Sequence, residues 1–153
     1  MENILEDLLN EERDLQFNSF NEDTAWEVGN LLVDIAQKEN LPIAIDITFA
    51  GRKLFHVSCP GAKMDNDEWI KRKNRLVYRF GHSSYYMGQL LKENGWNIEE
   101  RYLLSAKEFA PYGGCFPVII KGSGMVGTIT VSGLKQEEDH QLVVRVLRSY
   151  LKK

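Results

Sequence analysis

The sequence is poor in the residues that most directly announce a chemistry. It holds two cysteines, Cys59 and Cys115, and three histidines in 153 residues. No Cys-x-x-Cys occurs, which excludes a zinc ribbon, and no His-x-x-x-His pair is present to seat a metal. Positive charge is not in excess: 19 Lys and Arg face 22 Asp and Glu, for a net charge of -3. A nucleic-acid-binding chain usually carries a basic face strong enough to tilt that total, so nucleic acid is set aside as a partner. No stretch approaches the roughly 18 apolar residues of a membrane span. The opening MENILEDLLNEERD carries acids where an export signal needs a basic start and an apolar run. These absences together predict a soluble, cytoplasmic protein with no membrane partner, its cysteines free thiols. Repeats and low-complexity segments are also missing. So is a strand-glycine-helix unit of the dinucleotide-binding kind. The one Gly-x-Gly, Gly122-Ser123-Gly124, leads into a strand and makes a poor phosphate cradle.

What is present is an ordinary globular composition, 43% hydrophobic, in a length that suits one domain over residues 1–153. A short acidic helix is predicted from about Glu2 to Arg13. A second helix follows, with Thr24 and Glu27 as a capping box and Ala25, Val28, Leu32, Ile35 and Ala36 at helical spacing, closed by Pro42. Ile43, Ile45, Ile47 and Phe49 then alternate with Ala44, Asp46 and Thr48, the period of a strand. Ala50-Gly51-Arg52 permits a tight reversal into a second strand, KLFHV. From Asp65 or Asn66 as cap, a long helical run extends to Asn94-Gly95, and Gly81 is a point at which it can divide. Gly81, Ser84 and Gly88 on its stripe permit another backbone to come close. WNIEERYLLSAKEFAP reads as a short helix or an irregular crossover. CFPVIIK and MVGTITVS, separated by GSG, form a second hairpin. The last helix has Glu137, Glu138 and Asp139 at its start and Lys152 and Lys153 at its end, as the helix dipole favours. Two hairpins joined by helices predict an α+β domain with an antiparallel sheet covered by helices.

Each candidate for chemistry has a structural reading beside it. A nucleophilic cysteine needs a base and an electropositive, partly open setting. Cys115 has Gly114, Phe116 and Pro117 as neighbours, so it reads as a small apolar residue at a strand entry. Pro117, lacking a donor, belongs near a strand start or on an edge. Gly113-Gly114 is the better site candidate, since the backbone can there turn sharply or lie against a ligand. His56, His82 and His140 are single histidines; His140, near a positive helix end, resists protonation. Lys71, Arg75 and Arg79 share one helix face, which is either solvated or an anion site. Lys73 lies on a different face and can point inward. Trp69 and Trp96 are core, interface or platform residues. Ser132-Gly133 ends the last strand and brings unpaired backbone donors to a helix start, serving a simple turn or an anion.

The stretch GGCFPVIIKGSGMVGTITVSGLKQEEDH resembles the Gly-Gly-x-Pro … Gly-x-x-x-Gly … Val-Ser-Gly … Asp signature of the GlcG/HbpS-like family, often labelled haem-degrading domain. Trp69, Lys73, Phe80, Ser83 and Ser84 resemble the helix pattern of its uncharacterised UPF0303 branch. The sequence departs from the pattern at Cys115-Phe116, two residues where one precedes the proline, and at His140 after the aspartate. The resemblance implies a profilin-like fold, assembly into dimers or larger oligomers, and, in some relatives, haem binding or degradation.

The reading adopted is an oligomeric small-ligand-binding domain. Lys73, Tyr112, Gly113, Gly114, Ser132 and His140 are expected to line its pocket. Lys73 would neutralise an anionic group, and haem is the cofactor that the resemblance brings in. The alternatives are an enzyme that degrades haem or a related oxidisable compound, and a module whose function is assembly with itself or other proteins. Whether a reaction is catalysed stays open at this point.

Overall fold

In a computed structural model, residues 3–152 can be described. Glu2, the expected start of the first helix, and Lys153 lie outside the described residues. The elements follow the expected order: α1 (Ile4–Asp14), α2 (Glu22–Glu39), β1 (Ala44–Phe49), β2 (Arg52–Ser58), α3 (Met64–Phe80), α4 (Ser84–Asn94), α5 (Ile98–Tyr102), β3 (Cys115–Ile120), β4 (Gly124–Ser132) and α6 (Gln136–Tyr150). The long helical run does divide at Gly81, whose φ of +73° ends α3 in a left-handed cap that suits glycine. Ser83 then caps α4 by accepting from the Tyr86 N–H at 3.1 Å.

Two caps differ from expectation. The capping box of α2 is formed by Asn21 with Thr24, one turn before the expected Thr24 and Glu27 pair. The Asn21 side chain reaches the Thr24 N–H at 3.0 Å, and an asparagine outside the helix can do this where a threonine already inside it cannot. Helix α3 starts at Met64, and Asn66 serves it from within, accepting from the Lys63 N–H at 2.8 Å.

Both hairpins form, and they join through β1 and β4 into one antiparallel sheet in the order β2-β1-β4-β3. Pro117 lies on β3, an edge strand, where its missing donor costs no sheet hydrogen bond. Phe17 covers part of that edge: its N–H donates to Ile119 and its carbonyl accepts from Lys121, at 2.8 and 2.9 Å. The turn of the first hairpin holds Ala50 and Gly51 at φ of +50° and +80°, the twist that a two-residue reversal demands.

Alternation along the strands divides the sheet into two unlike faces. Ile45, Ile47, Phe116, Val118, Ile129 and Val131 point to one side and merge with Val28 and Leu32 of α2 and Val143 and Leu147 of α6. Each such buried side chain contributes about 1.5–3 kcal/mol by leaving water. Asp46, Thr48, Cys115, Thr128, Thr130 and Ser132 point to the other side, and all are buried there too. Helix α3 covers this second face: its Asn74 lies against Asp46, Cys115 and Thr130 together. A smaller apolar cluster, Leu76, Met87, Leu91 and Ile98, fixes α4 and α5 to the outer side of α3.

Candidate functional site

The polar face needs partners, because an unpaired buried polar atom costs about 1–3 kcal/mol. Asn74 supplies several. Its amide oxygen accepts from Thr130 at 2.5 Å, and its amide nitrogen donates to Asp46 at 3.3 Å. Asp46, 1% exposed, also accepts from the Thr48 hydroxyl at 2.7 Å. His56 Nδ1 lies 3.2 Å from its other oxygen and Lys53 Nζ lies 3.7 Å away.

At the Ser132 end of β4 this polar layer contains a charge pair. Lys73 is the inward residue one turn before Asn74's neighbour Val77, and it is only 3% exposed. Its Nζ donates to the Val131 carbonyl at 3.3 Å and to Asp139 Oδ2 at 3.4 Å. Asp139 comes from the start of α6. Its second oxygen accepts from the Leu134 N–H at 3.0 Å, which holds the turn between β4 and α6. Gly114, with φ of +137°, makes room for the ammonium: a Cβ placed there would stand 2.7 Å from Nζ. A Cβ on Gly113 would overlap the Gln136 carbonyl, and the Gly113 N–H donates to the Gln136 side chain at 3.0 Å. The glycine pair therefore lets the β3 entry lie directly under the Lys73–Asp139 contact and against α6.

Burial pushes the Lys73 ammonium below its ordinary value, and the charge of Asp139 opposes that in part. Burial likewise raises the Asp139 carboxyl from 3.8 to about 6, outweighing Lys73 and the turn N–H groups. Burial thus disfavours the charged form of both members of this contact, the amine and the acid.

This pair lies at the inner end of an open cleft of about 270 Å³ walled by Trp69, Tyr112, Asn66, Ser132 and Gln136. Trp69 and Tyr112 meet edge to face, with ring centroids 5.7 Å apart. A wider cleft of about 510 Å³ adjoins it, sharing Trp69, Tyr112 and Gln136 and adding Arg72, Lys92 and Trp96. Arg72 stacks over the Trp69 ring at 4.3 Å and Arg101 over Trp96 at 4.1 Å.

Of the residues expected at the pocket, Lys73, Tyr112 and Ser132 line this one cleft, and Gly113 and Gly114 lie against its inner end. His140 does not join them. It is buried on the apolar side, beside the rings of Tyr85 and Phe116, with Nε2 2.8 Å from Glu11. One residue further along α6 turns a side chain by about 100°, and here that step carries His140 from the cleft to the apolar side of the sheet. Asp139 was legible only as a favourable charge at a helix start; nothing local announced that it would meet Lys73. Lys71, Arg75 and Arg79 form an exposed face, with Lys71 paired to Glu68 at 2.8 Å. The Cys115 thiol is fully buried, and burial raises it to about 12, so it packs as an inert side chain.

Comparison with known proteins agrees with this architecture. A "UPF0303 protein" of Streptomyces coelicolor is 46% identical over 145 residues, spanning 95% of this chain and 92% of that protein. The crystal structure of the Ybr137w protein superposes with a TM-score of 0.89 at 34% identity, over 97% of this chain and 87% of the other. A PduOC:Heme complex shares the fold, with a TM-score of 0.68 at 16% identity over 87% of this chain and 94% of the other. The model of the family described as "Haem degrading protein HbpS-like" matches residues 20–148, and on that match and the relatives above this chain belongs to the HbpS-like family.

Proposed function

We propose that this chain is a small-molecule-binding domain whose ligand is a compact organic anion with a flat, apolar body. One observation carries the reading: a buried lysine–aspartate pair forms the inner end of a cleft walled by Trp69 and Tyr112. A buried ion pair contributes little stability beyond an apolar pair of the same size. Its position at an open cleft gives it a use. When Asp139 takes up a proton, Lys73 is left without its counter-charge and can attract a carboxylate. Anion binding should therefore strengthen as the pH falls from 8 toward 6. Titration of tryptophan fluorescence with 4-(hydroxymethyl)benzoate tests this. Binding that is lost in Lys73→Met and tightens toward pH 6 is expected; binding indifferent to both would refute the site.

The family description and the PduOC complex bring haem into question. Among the described residues, neither cleft has histidine, cysteine or methionine in its walls, and His140 is engaged by Glu11 on the apolar side of the sheet. Among the described residues of the two clefts, Tyr112 alone is of a type that ligates haem iron, and no step through haem is derived. A haem titration is expected to give no Soret shift at micromolar protein. A shift that Trp69→Ala abolishes would assign a tetrapyrrole to the wider cleft instead.

The proposal includes self-association, since Met64 and Leu103 stand 87% and 86% exposed, and Trp26 is exposed as well. Light scattering should give a mass of at least two chains; the 17.6 kDa of one chain in dilute solution would contradict it.

A further inference from the structure

The inward lysine has a second capability that rests on the same cleft but not on anion binding alone. Among the described residues, Lys73 Nζ has two hydrogen-bond acceptors, both distant, at 3.3 and 3.4 Å. Lys73 is among the residues that line the cleft, although only 3% exposed, and Gly114 beside Nζ bears no side chain to hinder a change in geometry at nitrogen. The carboxyl of Asp139 is positioned to exchange a proton with whatever stands at Nζ. The Ser132 hydroxyl and the Asn66 amide lie in the same wall, 3.5 Å apart, as further hydrogen-bonding groups for an oxygen. An amine, an adjacent carboxylic acid and an open approach are the parts needed for condensation with a carbonyl.

We propose that Lys73 binds aldehydes or 2-oxo acids covalently, as an imine. Free Nζ adds to the carbonyl carbon, and the carbonyl oxygen takes a proton from the Asp139 carboxyl. The carbinolamine nitrogen loses a proton, the hydroxyl leaves as water with a proton returned through Asp139, and a C=N bond replaces C=O. One water is released and nothing is oxidised or reduced. The protonated imine keeps a positive charge at the same place, so its pairing with the Asp139 carboxylate is preserved. Burial favours the uncharged amine and so raises the share of free Nζ above that of an exposed lysine.

The experiment treats the whole chain with 4-carboxybenzaldehyde and sodium cyanoborohydride at pH 7 and locates the reduced adduct by peptide mass spectrometry. Lys73 should be labelled faster than the exposed residues Lys92, Lys121 and Lys152, because its lowered pKa leaves a larger share of free amine. An excess of 4-(hydroxymethyl)benzoate, which cannot condense, should protect Lys73 and leave the others unchanged. Lys73→Arg should abolish labelling at position 73, and Asp139→Asn should slow labelling of Lys73 while circular dichroism stays native. Labelling of Lys73 no faster than that of Lys121 overturns the inference. If the benzoate alcohol binds and Lys73 is not labelled, the imine falls and the anion site stands. If Lys73 is labelled without protection by the alcohol, the imine stands and the anion site falls. If there is neither binding nor labelling, both fall.

Discussion

The two faces of the sheet are made by alternate residues of the same strands, yet they are held by different physics. Toward α2 and α6, Ile45, Phe116, Ile129 and Val131 are joined by area removed from water, a force with no required direction. Toward α3, Asp46, Thr130, Ser132 and their neighbours are held by hydrogen bonds whose donors and acceptors must match atom by atom. The first face tolerates any well-fitting apolar residue. The second tolerates few changes, and it meets open clefts at Lys73 and again at Asp46 and His56. The contrast teaches that the proposed site lies in the layer held by directional bonds, where burial alone does not dictate which residue fits.

Three changes test that contrast. Phe116→Ala, fully buried on the apolar face, should cost about 4 kcal/mol in urea unfolding with little change in cleft binding. A loss below about 1 kcal/mol would mean that the apolar face is not what holds the fold. Lys73→Met should cost about 3 kcal/mol, because it strands the Asp139 carboxyl without its partner. Adding Asp139→Asn should recover most of it. The pH dependence has a definite sign. The folded-state value of Asp139 is raised, to about 6 from 3.8, so its contribution to stability is complete below about pH 4 and is lost as the pH rises through 6. Without the ammonium that loss deepens, and Lys73→Met should look more damaging at pH 8 than at pH 5. Equal damage at both pH values would detach Lys73 from Asp139.

The smallest effect is expected away from both faces. Glu12 ties α1 to the α3–α4 junction, contacting His82 Nδ1 at 2.7 Å and accepting from the Ser83 N–H at 3.0 Å. That bond to Glu12 is the main cause raising the His82 value above 6.5. The ion pair thus stabilises fully below pH 6.5 and fades as the pH climbs past the raised value. Glu12→Gln should therefore lose more stability at pH 6 than at pH 9, by a modest amount, since the His82 side chain is 40% exposed and screened. A thermal melt series with no such difference would leave α1 held by packing alone.

Much of the fold was legible because its signals are local. The period of two around Ile45 and Ile47, the glycines of both hairpins and the break at Gly81 each act within a few residues. The misplaced caps at Asn21 and Lys63 were also local, shifted because several adjacent polar residues can each serve and only the final helix phase selects one. The site was half legible. Lys73 stood out as a charge on an inward helix face, and Gly113-Gly114 as a place for close approach. Asp139 could not be matched to Lys73, nor Asn74 to Asp46, because those pairs are 66 and 28 residues apart in the chain. His140 was expected at the cleft from its neighbourhood in sequence, and helical rotation carried it to the opposite side.

By itself the sequence determined the elements, the hairpin pairing and the apolar side of the sheet, since short-range periodicity and turn chemistry need no distant partner. Only the tertiary structure decided which charges meet. The direction and burial of a lysine or an aspartate depend on surfaces brought together from remote parts of the chain, and only there does removal from water push the Lys73 ammonium down and the Asp139 carboxyl up.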